Sequence, residues 1–153
     1  MIIWLASYPK SGNTWIRLFL DCLLFSKNEF NINKNYITQF PLRSSFNGLT
    51  DNVNNQKEFA KYCIEAQKKV NLDKKIKIYK THNALWNWNN GEYLFTDESQ
   101  TLGVIYIVRD PRNIVTSILN YFHKENYRNA IDFMKKDRVL GGDEDEHGLP
   151  TII

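Results

Sequence analysis

The amino-terminal residues Ile2-Ile3-Trp4-Leu5-Ala6-Ser7 form a continuous apolar run that ends abruptly in Tyr8-Pro9-Lys10-Ser11-Gly12-Asn13. A run with no polar alternation has no face to offer water, which is the pattern of a strand buried on both sides in a parallel sheet. From Thr14 the apolar residues recur at helical spacing, through Trp15, Leu18, Phe19, Cys22 and Leu23. The first thirty residues therefore dictate a strand, a glycine-containing turn and a helix.

The rest of the chain repeats that alternation with one long interruption. Residues 26–55 are polar and asparagine-rich, with Phe30, Ile32, Tyr36, Ile37, Phe40, Leu42 and Phe46 placed without a period. This reads as an excursion with little regular structure, of a kind that is often functional in a compact domain. Helical spacing returns over 56–70 through Phe59, Tyr62, Cys63 and Ala66. A second strand is predicted at 76–79 and a third at 104–108, the latter a solid apolar run expected at the centre of the sheet. Asp110-Pro111-Arg112 starts a helix, since Asp caps and Pro suits the first helical position, and Ile114, Val115, Ile118, Leu119 and Phe122 continue it. A last helix is predicted over 127–136, and the acidic run 143–146 reads as a solvated loop. Strands alternating with helices imply an α/β layered fold with a mainly parallel sheet.

Composition narrows the class further. The 153 residues, 42% of them hydrophobic, suffice for the core of one domain, assigned here to residues 1–153. With 20 Lys and Arg against 17 Asp and Glu, the net charge is only +3, far from the basic footprint of a nucleic-acid binder. Cys22 and Cys63 lack any metal-ligand or CxxC spacing and read as reduced, buried thiols of a cytosolic protein, with no metal site. The longest apolar stretch, 16–25, is interrupted by Arg17 and Asp21 and falls short of the roughly 18–20 residues needed to span a bilayer. The start of the chain carries no secretory signal pattern. The expected location is the cytoplasm.

Three places carry residues suited to chemistry. In the Lys10 to Trp15 turn, unpaired backbone N–H groups at a helix start favour an anion, Gly12 permits close approach, and Lys10, Ser11 and Thr14 add donors. Taken alone, the turn fits an ordinary strand-to-helix connection with a solvated lysine equally well. Its lysine precedes its glycine, unlike the common G-x-x-x-x-G-K-[ST] loop, and no magnesium-binding carboxylate accompanies it, which disfavours a small-molecule kinase. Lys80-Thr81-His82 follows the second strand, at the carboxyl end where parallel sheets bind ligands. There a neutral His82 is suited to taking a proton, although a structural histidine fits as well; His123 and His147 read as surface residues. Arg109 ends the third strand, with Ser117 eight residues on. This arginine suits a phosphate clamp or a pairing with Asp110, and the serine suits a donor or a small packing residue. Trp86, Trp88 and Tyr93 suit either a stacked acceptor or simple packing.

In this order the three segments resemble the sulfotransferases that use 3′-phosphoadenosine 5′-phosphosulfate (PAPS). Tyr8-Pro9-Lys10-Ser11-Gly12-Asn13-Thr14-Trp15 looks like their 5′-phosphosulfate loop, and residues 105–113 through Ser117 look like the start of their 3′-phosphate element. The resemblance implies a P-loop-like three-layer α/β fold with a mainly parallel sheet and transfer of a sulfuryl group to a hydroxyl or amine without a metal. It implies donor binding by Lys10, Ser11, Gly12, Asn13, Thr14, Trp15, Arg109 and Ser117, with Trp15 against the adenine. His82 is implied as general base, Lys10 as the charge that steadies the bridging oxygen, and Lys80 as a contact to the transferring group. Asn13 stands where many cytosolic members carry Thr. Nothing after Ser117 resembles the basic, glycine-containing loop that closes on the donor in the family, so the expectation is an amino-terminal portion whose fold is incomplete at the carboxyl end. The implied acceptor is a small molecule or glycan. A competing expectation is a nucleotide-binding fragment with little activity that needs a second copy or a complementing chain.

Overall fold

The amino-terminal apolar run is a strand, β1 (Ile2–Ser7). In the computed structural model, which describes residues 1–25, 36–140 and 149–153, it is followed by α1 (Asn13–Phe25), β2 (Thr38–Gln39), a 3₁₀ turn at Arg43–Phe46, and α2 (Gln56–Asn71). Then come β3 (Lys77–Thr81), β4 (Asn87–Trp88), β5 (Tyr93–Leu94), β6 (Thr101–Ile107), α3 (Pro111–Tyr121), α4 (Tyr127–Lys135), β7 (Val139–Leu140) and β8 (Thr151–Ile152). The main sheet runs β2-β3-β1-β6 with every pairing parallel, and two short antiparallel pairs, β4 with β5 and β7 with β8, flank it. The chain is thus an α/β fold on a parallel sheet. The acidic run and residues 26–35 of the excursion lie outside the described residues.

The main core forms where β1 meets α2. Trp4 is buried, with its ring 5.4 Å from Phe40 and 5.0 Å from Phe95, and its indole N–H donates to Thr101 Oγ1 at 2.9 Å. Phe59, Cys63 and Ala66, spaced to share one side of α2, close over this cluster with Ile2, Phe46 and Val53. Asn55 caps α2, its side-chain oxygen accepting from the backbone N–H of Lys57 at 3.1 Å and of Glu58 at 3.2 Å. A second cluster joins α3 to α4 through Ile114, Ile118, Ala130 and Phe133. Asp110 caps α3 as the sequence predicts, accepting from Arg112 N at 2.9 Å with Pro111 in the first turn.

The excursion has little regular structure from residue 36 to 55, yet Ile37, Phe40, Phe46 and Val53 are buried in the core. They lack a period because turns rather than an element deliver each of them inward. Asp21 anchors the return: its Oδ1 accepts from Ile37 N at 2.8 Å and Tyr36 N at 3.2 Å.

Three expectations are corrected. The solid apolar run at 104–108 predicts a central strand, but β1 holds that place and β6 ends the described sheet, with Val104 57% and Tyr106 66% exposed. Apolar content alone does not distinguish a strand covered on both sides from one with an open edge. In α1 the apolar residues face outward, Trp15, Phe19 and Leu23 all being exposed, while Asn13 and Asp21 are buried. Hydrogen bonds of these two polar side chains to the strand and the returning loop set the rotation of the helix. Cys22 consequently lies exposed instead of buried, whereas Cys63 is buried and its thiol is pushed up by desolvation.

Candidate functional site

The turn between β1 and α1 holds two departures into left-handed backbone on either side of Ser11, Lys10 at φ 68° and Gly12 at φ 97°. Ser11 N donates back to Tyr8 O at 3.3 Å across the first reversal, and the second turns the backbone into the start of α1, the kind of alternation from which anion-binding nests are built. A Cβ on Gly12 would meet nothing within 4 Å, so the glycine is demanded by the backbone and not by space. Gly12 O then accepts from Trp15 N at 3.0 Å and Ile16 N at 3.3 Å, which starts α1 and adds its dipole to the same spot. The guanidinium of Arg109, beyond β6, donates through Nη1 to Lys10 O at 3.0 Å and pins the turn from the other side. The Lys10 ammonium rests 3.8 Å over the ring of Tyr121 at the end of α3.

The parallel register of β1 and β3 sets the opposite wall. Leu5 pairs with Lys80 and Ala6 with Thr81, so His82 emerges beside Ser7 at the carboxyl ends of both strands. β3 runs to Thr81, two residues beyond the predicted end, and this makes His82 the first residue past the sheet. His82 Nδ1 lies 2.9 Å from Ser7 O and 3.1 Å from Ser7 Oγ. Burial, followed by the Lys80 and Lys10 charges, pushes the His82 imidazole down to about 4, against the opposing pull of the Ser7 carbonyl bond. The ring is therefore neutral near pH 7, as a proton acceptor must be. Burial and the nearby Arg17 charge also lower the Lys80 ammonium, which donates to Gln39 Oε1 at 3.3 Å. The next residue, Asn83, accepts from Ile152 N at 2.9 Å and so ties β8 to this wall.

Together these walls enclose a cleft of about 920 Å³. Lys10, Gly12, Asn13, Thr14, Trp15, Lys80, His82, Arg109 and Ser117, spread over more than a hundred residues of sequence, all line it; Ser11 is buried and is not in the lining. His123 is exposed beyond α3, and Trp86 packs against Phe59 and Phe95 in the core. His147 lies outside the described residues. Sequence reasoning missed Gln39, Arg43 and Tyr121 in the lining. The first two belong to the aperiodic excursion, and Tyr121 reads in sequence as one more aromatic at a helix end. Ser7 was also missed, because as the last residue of an apolar run it looks like strand.

Among the described residues, no group of three or more His, Cys, Asp and Glu side chains is placed to hold a metal ion, and no helix is long and apolar enough to cross a membrane. A family model described as a sulfotransferase domain matches residues 2–144. No curated protein and no solved structure matches the chain.

Proposed function

The chain belongs to the sulfotransferase family, and from that premise we propose that it moves a sulfuryl group from PAPS to a hydroxyl or amine of a small molecule or glycan in the cytoplasm. The observation that carries this reading is the convergence of the Lys10–Gly12 nest, the Lys80 and Arg109 side chains and a neutral histidine on one cleft. PAPS supplies the activated sulfuryl group and an anion at each end.

The residues present suit such a donor. The nest and the start of α1 offer backbone donors to the phosphosulfate end, with Lys10 as a mobile cation. Arg109 spends one N–H on the Lys10 carbonyl and keeps further donors for the 3′-phosphate, and Ser117 lines the cleft one helix away. Trp15, 80% exposed at the mouth, presents a ring for the adenine. Asn13 turns its amide inward, so its contribution to the donor comes from the backbone. His82 takes the acceptor proton while Lys10 and Lys80 hold negative charge in place, with no reorganisation needed as it develops.

Replacing His82 by Ala tests the base. Sulfuryl transfer to a panel of phenols, amines and sugars is expected to fall about 10²–10⁴-fold, while calorimetry finds 3′-phosphoadenosine 5′-phosphate bound as in the wild type. Undiminished transfer removes His82 from the role, and a wild type that does not bind this nucleotide overturns the donor assignment.

The open side of β6 favours a second reading, in which the chain is a nucleotide-binding piece that works only when a second copy or a complementing chain covers Val104, Ile105 and Tyr106. Tight nucleotide binding by the chain alone contradicts it.

A further inference from the structure

The side chains of Ser7 and Asn13 have no role in the reaction as described so far, yet they form a continuous polar chain ending on the imidazole. Asn13 is 3% and Ser7 4% exposed. One Asn13 Nδ2–H donates to Leu5 O at 3.0 Å and the other to Ser7 Oγ at 3.0 Å, so both amide hydrogens are spent inside the fold. Ser7 then meets His82 Nδ1 with two atoms, its carbonyl oxygen at 2.9 Å and its hydroxyl oxygen at 3.1 Å.

A backbone carbonyl has only lone pairs to offer. At 2.9 Å, an unprotonated Nδ1 would set lone pair against lone pair, so the proton of the neutral ring sits on Nδ1 and is donated to Ser7 O. The other nitrogen, Nε2, is left with a free lone pair. The amide of Asn13 occupies one acceptor site of Ser7 Oγ and fixes where that oxygen stands, so the hydroxyl is a second acceptor beside the same Nδ1–H. Leu5 and Ser7 belong to β1, Asn13 opens α1 and His82 directly follows β3, so the arrangement ties three elements together.

We propose that Ser7 and Asn13 are positioning residues that select the Nδ1–H tautomer of His82 and hold Nε2 as the nitrogen that accepts the acceptor's proton. The inference rests on the proposed sulfuryl transfer for its purpose, but not for its geometry. It explains why Asn13, directly after the glycine turn, sends its side chain inward to β1. The same amide that shapes the turn orients the base, so donor loop and proton acceptor share one anchor.

Long-range proton–nitrogen correlation spectra of the ¹⁵N-labelled chain at pH 7 read the tautomer directly, with His82 assigned by the signals lost in His82→Gln. The wild type should show His82 as the Nδ1–H form. Ser7→Ala and Asn13→Ala keep the Ser7 carbonyl but remove the hydroxyl, or the amide that anchors it, and so release the ring to turn from that carbonyl; each should shift His82 toward a mixture with the Nε2–H form, while Ser7→Thr, which keeps the hydroxyl, should preserve it. In turnover with PAPS, Ser7→Ala should lower kcat about 10-fold, the usual scale for losing an orienting partner, with the KM for PAPS unchanged and Ser7→Thr restoring the rate. A wild-type His82 in the Nε2–H form, or an unaltered tautomer in both alanine variants, overturns the proposal; the wild-type spectrum decides even if a variant fails to fold. A wild type that shows the Nδ1–H form but does not bind 3′-phosphoadenosine 5′-phosphate overturns the reaction and leaves the hydrogen-bond assignment standing.

Discussion

Burial first, then the Lys80 and Lys10 ammonium groups, discourage a second proton on His82 by more than the hydrogen bond to the Ser7 carbonyl favours it. Its folded value of about 4 lies below the ordinary 6.5, so between those values the unfolded chain holds the extra proton and the folded chain does not. Stability supplied by this group is present above pH 6.5 and is lost as pH falls toward 4. The urea midpoint should therefore decline across that window, and His82→Gln should flatten the decline. For the same reason the acid limb of kcat/KM should lie near pH 4 to 5, well below that of an unperturbed histidine. A limb at 6.5 would show that the ring is not buried in this way. Gly12→Ala tests the turn: at φ 97° a Cβ costs about 1–2 kcal/mol although nothing crowds it. Thermal unfolding should register that loss together with weaker nucleotide binding.

At the scale of elements, periodicity was informative wherever an element buries a regular face. The β1 strand, α2, α3 and α4 match their spacing almost to the residue, since Phe59, Cys63 and Ala66, or Ile114 and Ile118, meet a core on one side only. Two elements defied their pattern for separate physical reasons. α1 is rotated by the hydrogen bonds of Asn13 and Asp21, whose strength a hydrophobicity pattern does not contain. β6 carries the composition of an interior strand but, among the described residues, pairs with β1 alone. Within the candidate site, the glycine turn, Lys80, His82 and Arg109 were legible because they stand at strand ends. Gln39 and Arg43 were not, because only the tertiary fold brings them to the cleft, and Ser7 was not, because it touches His82 without lining the cleft. The cap of α2 offers a clean test, since Asn55→Ala removes the acceptor for two backbone N–H groups. Chemical denaturation should show a loss of about 1 kcal/mol, with no change in nucleotide affinity.

For the molecule as a whole, two elements present large apolar side chains to solvent. Trp15, Phe19 and Leu23 on α1, and Val104, Tyr106 and Val108 on and just past β6, are all more than half exposed. Contiguous apolar area and a free strand edge promote association. The chain should bind an apolar dye such as anilinonaphthalene sulfonate and sediment faster as concentration rises. Val104→Lys with Tyr106→Lys should reduce both effects, leaving the circular dichroism spectrum unchanged. The hydrogen bond from Arg109 to the Lys10 carbonyl has a consequence of another kind. It joins the segment after the last sheet strand to the turn after the central one, so the two ends of a bound nucleotide would not be sensed independently. Affinity lost on replacing Arg109 should depend on whether Lys10 is intact, and a double-mutant cycle should depart from additivity. In mechanical terms the cleft behaves as one clamp with a shared hinge pin, not as two grips that happen to face each other.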